Sequence, residues 1–421
     1  MQRPRGTRDL FGEELVSVRR VTRAMSEIFA RHGCEEVETP LFEHLELFTK
    51  KSGSNIVNQI YAFKDKSSRE LALRPELTAP VVRLYIQQMR SMPKPVKLCY
   101  FGNCFRYEEP QARRWRQFLQ AGVEVIGSPK PEADAEVVAL SYNLMRELGL
   151  DFELRMGHVR LLRELLAHAG VKGDAQDPVL RAIDSRDKQR IKDEFIHAGV
   201  GDSDEKVLRG LIELRGGAEV IGKAEALLKE IPRVAPAFKN LQEVIECLGP
   251  LGVEKFVVDL GTARGLEYYT DFVFELYVDG VQVAGGGRYD TLVETLGGDP
   301  TPAVGVGFGV DRIAQTLLKR GMIIPEDRLD CMVLPADEKV LGECLKIATE
   351  LRGAGFSVDV DLMGRSLSKA LAYANALKVK RVVVVGAKDL SRGQVSLRDM
   401  VSGKQELVAR GEIVKKLEIV T

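Results

Sequence analysis

The chain has 421 residues, 45% of them hydrophobic, a length and composition that predict two or three globular domains with a sizeable core. Lysine plus arginine and aspartate plus glutamate both number 61, so the net charge of zero gives no support for nucleic-acid binding by the whole chain, and any basic surface must come from local segregation. Six scattered cysteines without a CxxC pair argue against structural zinc and a disulfide framework, and the charged N-terminal stretch and the lack of an apolar run of about 20 residues predict a cytoplasmic protein without a secretory signal or membrane span.

The N-terminal part is predicted to begin with a long amphipathic helix. Residues 13–32 place their apolar side chains on one helical stripe, and Gly33 follows as a stop signal. A strand running to Pro40 is predicted next, and short strands at 61–63 and 71–74 flank a charged turn.

The segment 74–78 reads RPELT and leads into a predicted helix at 79–89. Proline is well tolerated in a turn or at a helix start, so Glu76 and Thr78 are expected at a strand-to-helix corner. Such corners often hold ligands. The alternative is a capping role, in which Thr78 bonds the first-turn amides.

A hairpin is predicted from two strands, 98–107 and 116–126, with the charged turn EPQARR at 109–114 between them. Because strand side chains alternate, four polar residues are expected on one face: Arg106, Glu108, Gln120 and Glu124. A buried sheet is seldom lined in this way unless a charged ligand binds there. The alternative is an exposed hairpin with surface salt bridges.

The middle of the chain is predicted to be mostly helical. A helix at 134–148 and a strand to 155 precede a region, 158–248, whose amphipathic patterns predict helices throughout. This region carries no recognisable chemistry.

Strands are predicted again at 255–260, 272–278 and 303–310, and the last of these leads into a helix that ends at Arg320. Glycines alternate along 303–310, which leaves one strand face without side chains and lets a flat group lie against the backbone. A dinucleotide-binding turn is the competing interpretation, but it requires glycines between a strand and a helix of a βαβ unit.

After Pro325 the pattern predicts a parallel α/β domain with strands at 330–334, 356–360 and 381–385, helices at 338–353 and 366–377, and a closing hairpin. Charge is segregated within it: residues 326–361 contain 4 basic and 9 acidic residues, whereas 365–410 contain 10 basic and 3 acidic ones. The local net charge of +7 is typical of an RNA-binding surface, and a solvated basic face is the alternative.

Taken in order, these motifs resemble those of class II aminoacyl-tRNA synthetases, and specifically of the histidyl-tRNA synthetase family. The resemblance rests on RPELT at 74–78, FRYE and RQF in the hairpin, RGLEYY at 264–269, GGGRYD at 285–290 and GVGFGVDR at 305–312. It covers nearly the full chain and is weakest between about 156 and 236. The departures are small: Tyr107 replaces a histidine, Glu267 an aspartate, and Asp311 a glutamate, and the sequence AGGGRYD replaces CAGGRYD.

The resemblance implies an α/β (α+β) architecture. A catalytic domain with an antiparallel sheet flanked by helices is expected at 1–157 and 251–325, a helical insertion at 158–250, and an α/β anticodon-binding domain at 326–421. The family's first motif, a long helix followed by a strand and a proline, implies a homodimer.

The resemblance also implies ATP, L-histidine and tRNA(His) as substrates, with Mg²⁺ accompanying ATP and no protein ligands for the metal named. The catalytic residues implied are Arg264 and Arg106. ATP binding is assigned to Arg106, Glu108, Arg114, Arg116, Phe118 and Arg312. Histidine binding is assigned to Glu76, Thr78, Gln120, Glu124, Arg264, Tyr268, Tyr269 and Tyr289, and contact with the tRNA acceptor end to Gln111. The predicted activity is therefore that of a histidine–tRNA ligase.

Other readings of the same motifs stay open. The first is a catalytically silent relative that serves as the regulatory subunit of ATP phosphoribosyltransferase. The others are an uncharged-tRNA sensor with this fold and a class II synthetase for threonine, proline or glycine. The retained Arg264, Tyr268 and Tyr269 and the C-terminal domain favour the histidine enzyme.

Overall fold

The structure is a computed structural model that describes residues 1–50, 58–107, 115–263, 268–323 and 329–419. The chain divides into two compact units, Met1–Ile323 and Ile324–Thr421. Within the described ranges, no helix is long and apolar enough to cross a membrane.

The first unit is built on a nine-stranded sheet with the order β1-β5-β6-β12-β11-β10-β7-β9-β8, and a small sheet with the order β2-β4-β3. The strands are β1 (Glu35–Glu36), β2 (Phe42–His44), β3 (Ala62–Lys64), β4 (Glu70–Leu73), β5 (Val96–Phe105), β6 (Gln117–Ile126), β7 (Glu153–His158), β8 (Arg215–Gly216), β9 (Val257–Asp259), β10 (Phe272–Val278), β11 (Val281–Arg288) and β12 (Ala303–Gly309). In the large sheet, each strand from β5 through β6, β12, β11 and β10 to β7 pairs antiparallel with the next, as predicted. Strand β1 pairs parallel with β5, and β9 pairs parallel with β7.

The helices of this unit are α1 (Gly12–Arg31), α2 (Glu46–Thr49), α3 (Thr78–Leu84), α4 (Pro131–Glu147), α5 (Val159–His168), α6 (Gln176–Ser185), α7 (Lys188–His197), α8 (Asp202–Ile212), α9 (Glu219–Leu228), α10 (Ala235–Leu248), α11 (Leu292–Thr295) and α12 (Val310–Lys319). A π-helical segment, Tyr85–Met89, continues α3. Short 3-10 segments lie at Gly173–Ala175 and Pro232–Val234.

The long helix α1 confirms the amphipathic pattern. It buries Val21, Met25 and Phe29, which recur every four residues and therefore share one face. This face packs against α12 and α4, and these helices in turn cover β6 and β12. The apolar stripe thus holds one side of the central sheet.

The prediction of helices throughout 158–248 is wrong at one place. Helices α5 to α10 fill most of the region, but β8 adds a two-residue strand at the edge of the central sheet, antiparallel to β9. Two residues are too few to show an alternating pattern, so only tertiary pairing reveals this strand. The predicted strand running to Pro40 is likewise reduced to β1.

The second unit has a five-stranded sheet with the order β14-β13-β15-β16-β17. Its elements are β13 (Cys331–Pro335), a 3-10 segment (Glu338–Val340), α13 (Leu341–Gly353), β14 (Val358–Val360), α14 (Leu367–Ala376), β15 (Arg381–Val385), α15 (Ala387–Leu390), β16 (Gln394–Asp399), β17 (Gln405–Ala409), a 3-10 segment (Arg410–Glu412) and α16 (Ile413–Ile419).

The second sheet has a parallel part and an antiparallel part. Strand β13 is parallel to β14 and β15, as predicted, and the antiparallel hairpin of β16 and β17 completes the sheet beside β15. Alternate residues of β13 point to two different apolar clusters, Val333 to one and Met332 to the other. The strand is therefore covered on both faces, which explains its continuous apolar sequence.

Candidate active site

A cavity of about 370 Å³ lies in the first unit, against the face of β6, β12 and β11. Its size is that of a site for a small molecule. Most of the described residues that the sequence singled out line it together: Thr78, Arg106, Phe118, Gln120, Glu124, Tyr268, Tyr269, Tyr289 and Arg312.

Glu124 lies at the buried end of this cavity with 1% of its surface exposed. The Tyr100 hydroxyl donates to Glu124 Oε1 at 2.9 Å, and the Tyr289 hydroxyl donates to Oε2. The Thr78 hydroxyl also hydrogen bonds to this carboxyl group. The carboxyl group is thus held from several sides, so its orientation toward the cavity is fixed.

Burial raises the pKa of Glu124 to about 7, although the hydrogen bonds from Tyr289, Thr78 and Tyr100 lower it. Desolvation penalises the charged form of a carboxyl group, and the surrounding hydroxyls compensate only in part. Burial also raises the pKa of Tyr289 well above its ordinary value, so its hydroxyl stays protonated and remains a donor. Glu124 therefore changes charge near neutral pH.

The glycines of β12 make room for the cavity. A Cβ at Gly305 would lie 1.7 Å from Glu124 Oε2 and 2.7 Å from the Val123 carbonyl oxygen, so only glycine fits opposite this carboxylate. On three neighbouring strands Gly122, Gly307 and Gly285 are register partners. The glycines lie within a strand that is antiparallel to both neighbours, which excludes the dinucleotide-binding turn.

An aromatic wall stands beside Glu124. The rings of Tyr268 and Tyr269 have centroids 4.6 Å apart, and Tyr268 meets Tyr289 edge-on at 5.8 Å. Aromatic pairs with these separations are favourable arrangements that pack tightly. The wall therefore gives this end of the cavity a defined shape.

The other end of the cavity carries cationic side chains. Arg106 donates from Nε to the Pro75 carbonyl oxygen at 2.9 Å, and its guanidinium lies 5.2 Å from the centre of the Phe118 ring. Arg312 donates from Nη1 to the Gln282 carbonyl oxygen at 2.8 Å. Each guanidinium has five N–H donors in a planar fork, the geometry that pairs with phosphate and carboxylate oxygens.

Comparison with known proteins agrees with this geometry. The family model described as histidyl-tRNA synthetase matches residues 6–313, and the one described as anticodon binding domain matches residues 330–418. The chain belongs to the histidyl-tRNA synthetase family. It is 41% identical to "Histidine--tRNA ligase" of Methanocaldococcus jannaschii, with 98% of each chain covered.

Two solved structures have folds similar to that of this chain. The histidyl-tRNA synthetase of Nostoc sp. PCC 7120 shares the fold with a TM-score of 0.82, 24% identity and coverage of 100% of this chain and 99% of that one. A Bacillus halodurans protein named ATP phosphoribosyltransferase regulatory subunit/histidyl-tRNA synthetase has a TM-score of 0.79 and 25% identity, and 92% of this chain and 98% of that chain are covered.

Two residues that the family motifs select do not line the cavity. The Glu76 carboxylate accepts from the Thr78 backbone N–H at 2.6 Å and from that of Ala79 at 3.0 Å, so Glu76, rather than Thr78, caps α3. The Arg116 guanidinium lies 4.0 Å from the centre of the Tyr107 ring. Tyr107, the residue that replaces the histidine of the family motif, thus stacks on an arginine at the base of the hairpin loop.

Four residues assigned from the histidyl-tRNA synthetase motifs lie outside the described residues: Glu108, Gln111, Arg114 and Arg264. Three others that belong to the site were not singled out by the motifs. Tyr100 donates to Glu124, Glu275 lines the cavity as a second buried carboxylate, and Trp115 lines it with a buried indole N–H that has no hydrogen-bond partner. Tyr100 lies on the first strand of the predicted hairpin, but no local pattern reports the bond from its hydroxyl to Glu124.

Proposed function

We propose that this chain is a histidine–tRNA ligase, an aminoacyl-tRNA synthetase that activates L-histidine with ATP and transfers the histidyl group to the 3′ end of tRNA(His). The observation that carries the proposal is the buried Glu124, which lies between tyrosine hydroxyls at the closed end of a cavity whose other end is cationic. The family membership and the anticodon-binding domain support the same activity.

The closed end suits a histidine side chain. A neutral imidazole presents one N–H donor and one acceptor nitrogen, so a selective pocket needs a carboxylate for one nitrogen and a hydroxyl for the other. Glu124 supplies the carboxylate, and Tyr268 and Tyr269 supply aromatic walls with hydroxyl groups. A pocket built from buried hydrogen-bonding groups rejects side chains that leave those groups unpaired.

The cationic end suits ATP. In the first step the histidine carboxylate attacks the α-phosphorus of ATP in line, the bond to the β-phosphate breaks and pyrophosphate leaves. Two anionic groups must therefore be brought together and neutralised. Arginine is the side chain for this task, because its planar fork pairs with phosphate and carboxylate oxygens and keeps its charge. We assign Arg106 to the α-phosphate, Arg312 to the γ-phosphate, and Phe118 to stacking on adenine.

The remaining assignments follow from the family motifs. Arg264 is proposed to contact the reacting carboxylate and α-phosphate, and Gln120 the α-ammonium group of histidine. Glu108 is assigned to adenine, Arg114 and Arg116 to phosphates, and Gln111 to the tRNA acceptor end. Glu76 is assigned to the α-ammonium group of histidine. Its carboxylate also caps the start of α3, since it bonds two backbone amides there.

The proposal extends to the assembly and the metal. The substrate is MgATP, with phosphate oxygens supplying most of the metal ligands. We assign the chain to class II of the aminoacyl-tRNA synthetases. We propose that it forms a homodimer through the α1 region and that it functions in the cytoplasm.

Pyrophosphate exchange with each of the twenty amino acids tests the proposed activity. Histidine alone is expected to support exchange, and histidine is then expected to be transferred to tRNA(His). Exchange with a different amino acid would remove the histidine assignment. No exchange with any amino acid would favour the regulatory subunit of ATP phosphoribosyltransferase, the first of the two names that the Bacillus halodurans structure carries.

A further inference from the structure

The N-terminal segment before α1 lies against the cavity wall. The Arg116 backbone N–H donates to the Gly6 carbonyl oxygen at 2.8 Å, which fixes the segment to the start of the hairpin strand β6. Gly6 has φ +83°, and a Cβ there would be 2.7 Å from the Arg116 side chain, so the close approach requires glycine. Leu10 packs against the main apolar core and holds the other end of the segment.

Arg8 extends from this segment into the protein. Its guanidinium forms an ion pair with Asp311, and the two side chains are only 9% and 8% exposed. The same guanidinium lies 5.0 Å from the centre of the Trp115 ring. Both Asp311 and Trp115 line the cavity, so Arg8 contacts its wall from behind at two places.

Asp311 connects Arg8 to two residues assigned to the ATP end. Its Oδ2 accepts from the Leu119 backbone N–H at 2.7 Å, and Leu119 lies between Phe118 and Gln120 on β6. Asp311 also precedes Arg312 in the first turn of α12. One carboxylate therefore ties β6 to the beginning of α12, and its geometry depends on the cation that holds it.

We propose that Arg8 is a positioning residue for ATP: through Asp311 it sets the separation of β6 from the start of α12, and hence the placement of Phe118 and Arg312. This inference rests on the proposed use of the cationic end for ATP. A displacement of about 1 Å in a positioned group is enough to cost a large factor in rate, so a contact behind the wall has a measurable effect. Arg8 itself does not touch the nucleotide.

The variants Arg8→Ala, Arg8→Lys and Arg8→Ala/Asp311→Asn test this role, with Arg3→Ala as the control because Arg3 is an exposed arginine of the same segment. ATP binding is followed by the fluorescence of Trp115, the single tryptophan of the chain. Arg8→Ala is expected to raise the Kd and KM for ATP about 10-fold or more. It should change the KM for histidine less, by about twofold, because Glu124 lies further along β6 and only Gln120, of the residues assigned to histidine, adjoins Leu119. Arg8→Lys should restore part of the ATP affinity, and Arg3→Ala should resemble the wild type.

The double variant separates positioning from stability. Arg8→Ala leaves a buried carboxylate without its cation, which lowers the melting temperature, and Asp311→Asn removes that charge while keeping an oxygen for the Leu119 N–H. Positioning by Arg8 predicts that the melting temperature recovers in the double variant while the Kd for ATP stays raised. Recovery of both would overturn the inference, because Arg8 would then only neutralise Asp311. Equal losses for ATP and histidine would overturn it as well. Failure of histidine-dependent exchange in the wild type would instead count against the proposed function, since ATP binding is measured independently.

Discussion

A buried carboxyl group with a pKa near neutrality selects its ligand by hydrogen bonding and affects the stability of the protein that carries it. Glu124 is fully enclosed, accepts hydrogen bonds from Tyr100 and Tyr289, and faces the cavity. In the proposed function only the imidazole uses this group, whereas ATP binds at the other end. The two substrates should therefore respond differently to its removal.

Glu124→Ala is expected to weaken histidine much more than ATP. Loss of a charged partner for a buried N–H costs about 2–4 kcal/mol, which corresponds to a 30-fold or greater rise in the KM for histidine. The KM for ATP should stay within about threefold. Pyrophosphate exchange at varied concentrations of each substrate measures both. Equal losses for the two substrates would mean that Glu124 supports the strand rather than the amino acid.

Glu124→Gln is expected to stabilise the ligand-free protein at higher pH. The pKa of about 7 lies above the ordinary value of 4.5, so the folded protein binds this proton more tightly than the unfolded chain does. Wild-type stability from this group is therefore lost as the pH rises from about 4.5 to 7, up to about 3 kcal/mol, whereas glutamine stays neutral.

Thermal unfolding of both proteins between pH 5 and pH 8 tests this expectation. The melting temperature of the variant relative to the wild type should become more positive with rising pH. A difference that does not change with pH would show that Glu124 titrates alike in the folded and unfolded states.

The sequence was most informative for residues whose chemistry is tied to a motif. Glu124 and Arg312 were selected because they match positions of the histidyl-tRNA synthetase motifs, and both line the cavity. Tyr100 was missed, since a tyrosine in an apolar strand is most simply read as core. Arg8 was missed for a similar reason: its partner Asp311 lies 303 positions away, and no local pattern reports such a contact.

At the scale of elements, one buried ion pair joins the end of β11 to the start of α4. Arg288 donates to both carboxylate oxygens of Asp134, at 3.0 Å from Nε and 2.7 Å from Nη2, with side chains 3% and 0% exposed. Arg288 also donates to the carbonyl oxygens of Ser128 and Lys130, in the turn before α4, and from Nη1 to Asp290 Oδ1 at 3.2 Å. The pair thus fixes a sheet strand against a helix that covers the sheet.

Arg288→Met is expected to lower the free energy of unfolding by about 3–5 kcal/mol, because it leaves Asp134 buried without its cation. The double variant Arg288→Met/Asp134→Leu should recover a large part of that loss. Arg320→Met is the matched control, since its pair with Asp279 is more exposed, at 28% and 59%, and its loss should cost less than about 1 kcal/mol. Urea unfolding followed by Trp115 fluorescence reports on the first unit. A similar cost for both single variants would show that burial does not set the value of the Arg288 pair.

Helices and strands long enough to show a repeating hydrophobic pattern were predictable from the sequence. Short strands that are defined only by hydrogen bonding to a partner strand were not. Helix α1 and strands β5, β6 and β12 each carry a pattern long enough to identify them. Strands β1 and β8 have two residues each and are defined by their partners β5 and β9. The parallel pairs β1–β5 and β9–β7 are therefore exceptions to the antiparallel sheet that was predicted.

At the scale of the whole chain, the neutral total conceals a basic half of the second unit, and the structure shows which of its cations are engaged within that unit. Arg410 is paired with Glu343 and Glu350, Arg365 with Asp361, and Arg381 donates to the Leu417 carbonyl oxygen at 3.0 Å. The composition of the segment 365–410 alone therefore overstates the charge offered to a partner. The sequence does not reveal which of these cations form ion pairs or hydrogen bonds with residues far away in the chain.

Two exposed lysines lie at one end of the second sheet. Lys380 directly precedes β15, and its carbonyl oxygen accepts from the Met400 backbone N–H, in the turn between β16 and β17. Lys404 ends that turn, so both residues lie at the same end of the sheet and both are exposed. Lys378 lies nearby with φ +57°, and substitution there would combine a charge change with a strained backbone.

The double variant Lys380→Glu/Lys404→Glu is expected to weaken tRNA binding and to lower the salt dependence of that binding, since each lost phosphate contact removes roughly 0.9 from the slope of log affinity against log salt. Lys339→Glu/Lys346→Glu is the matched control, because it reverses the same number of charges in the acidic half of the same unit. Pyrophosphate exchange should be unchanged in both, since the cavity residues all belong to the first unit. Circular dichroism checks folding, and filter binding between about 50 and 200 mM salt gives the slope. If the folded Lys380/Lys404 variant keeps the wild-type affinity and slope, these lysines form a solvated face and the tRNA contact lies elsewhere in the unit. If both variants lose affinity equally, the effect belongs to net charge rather than to this end of the sheet.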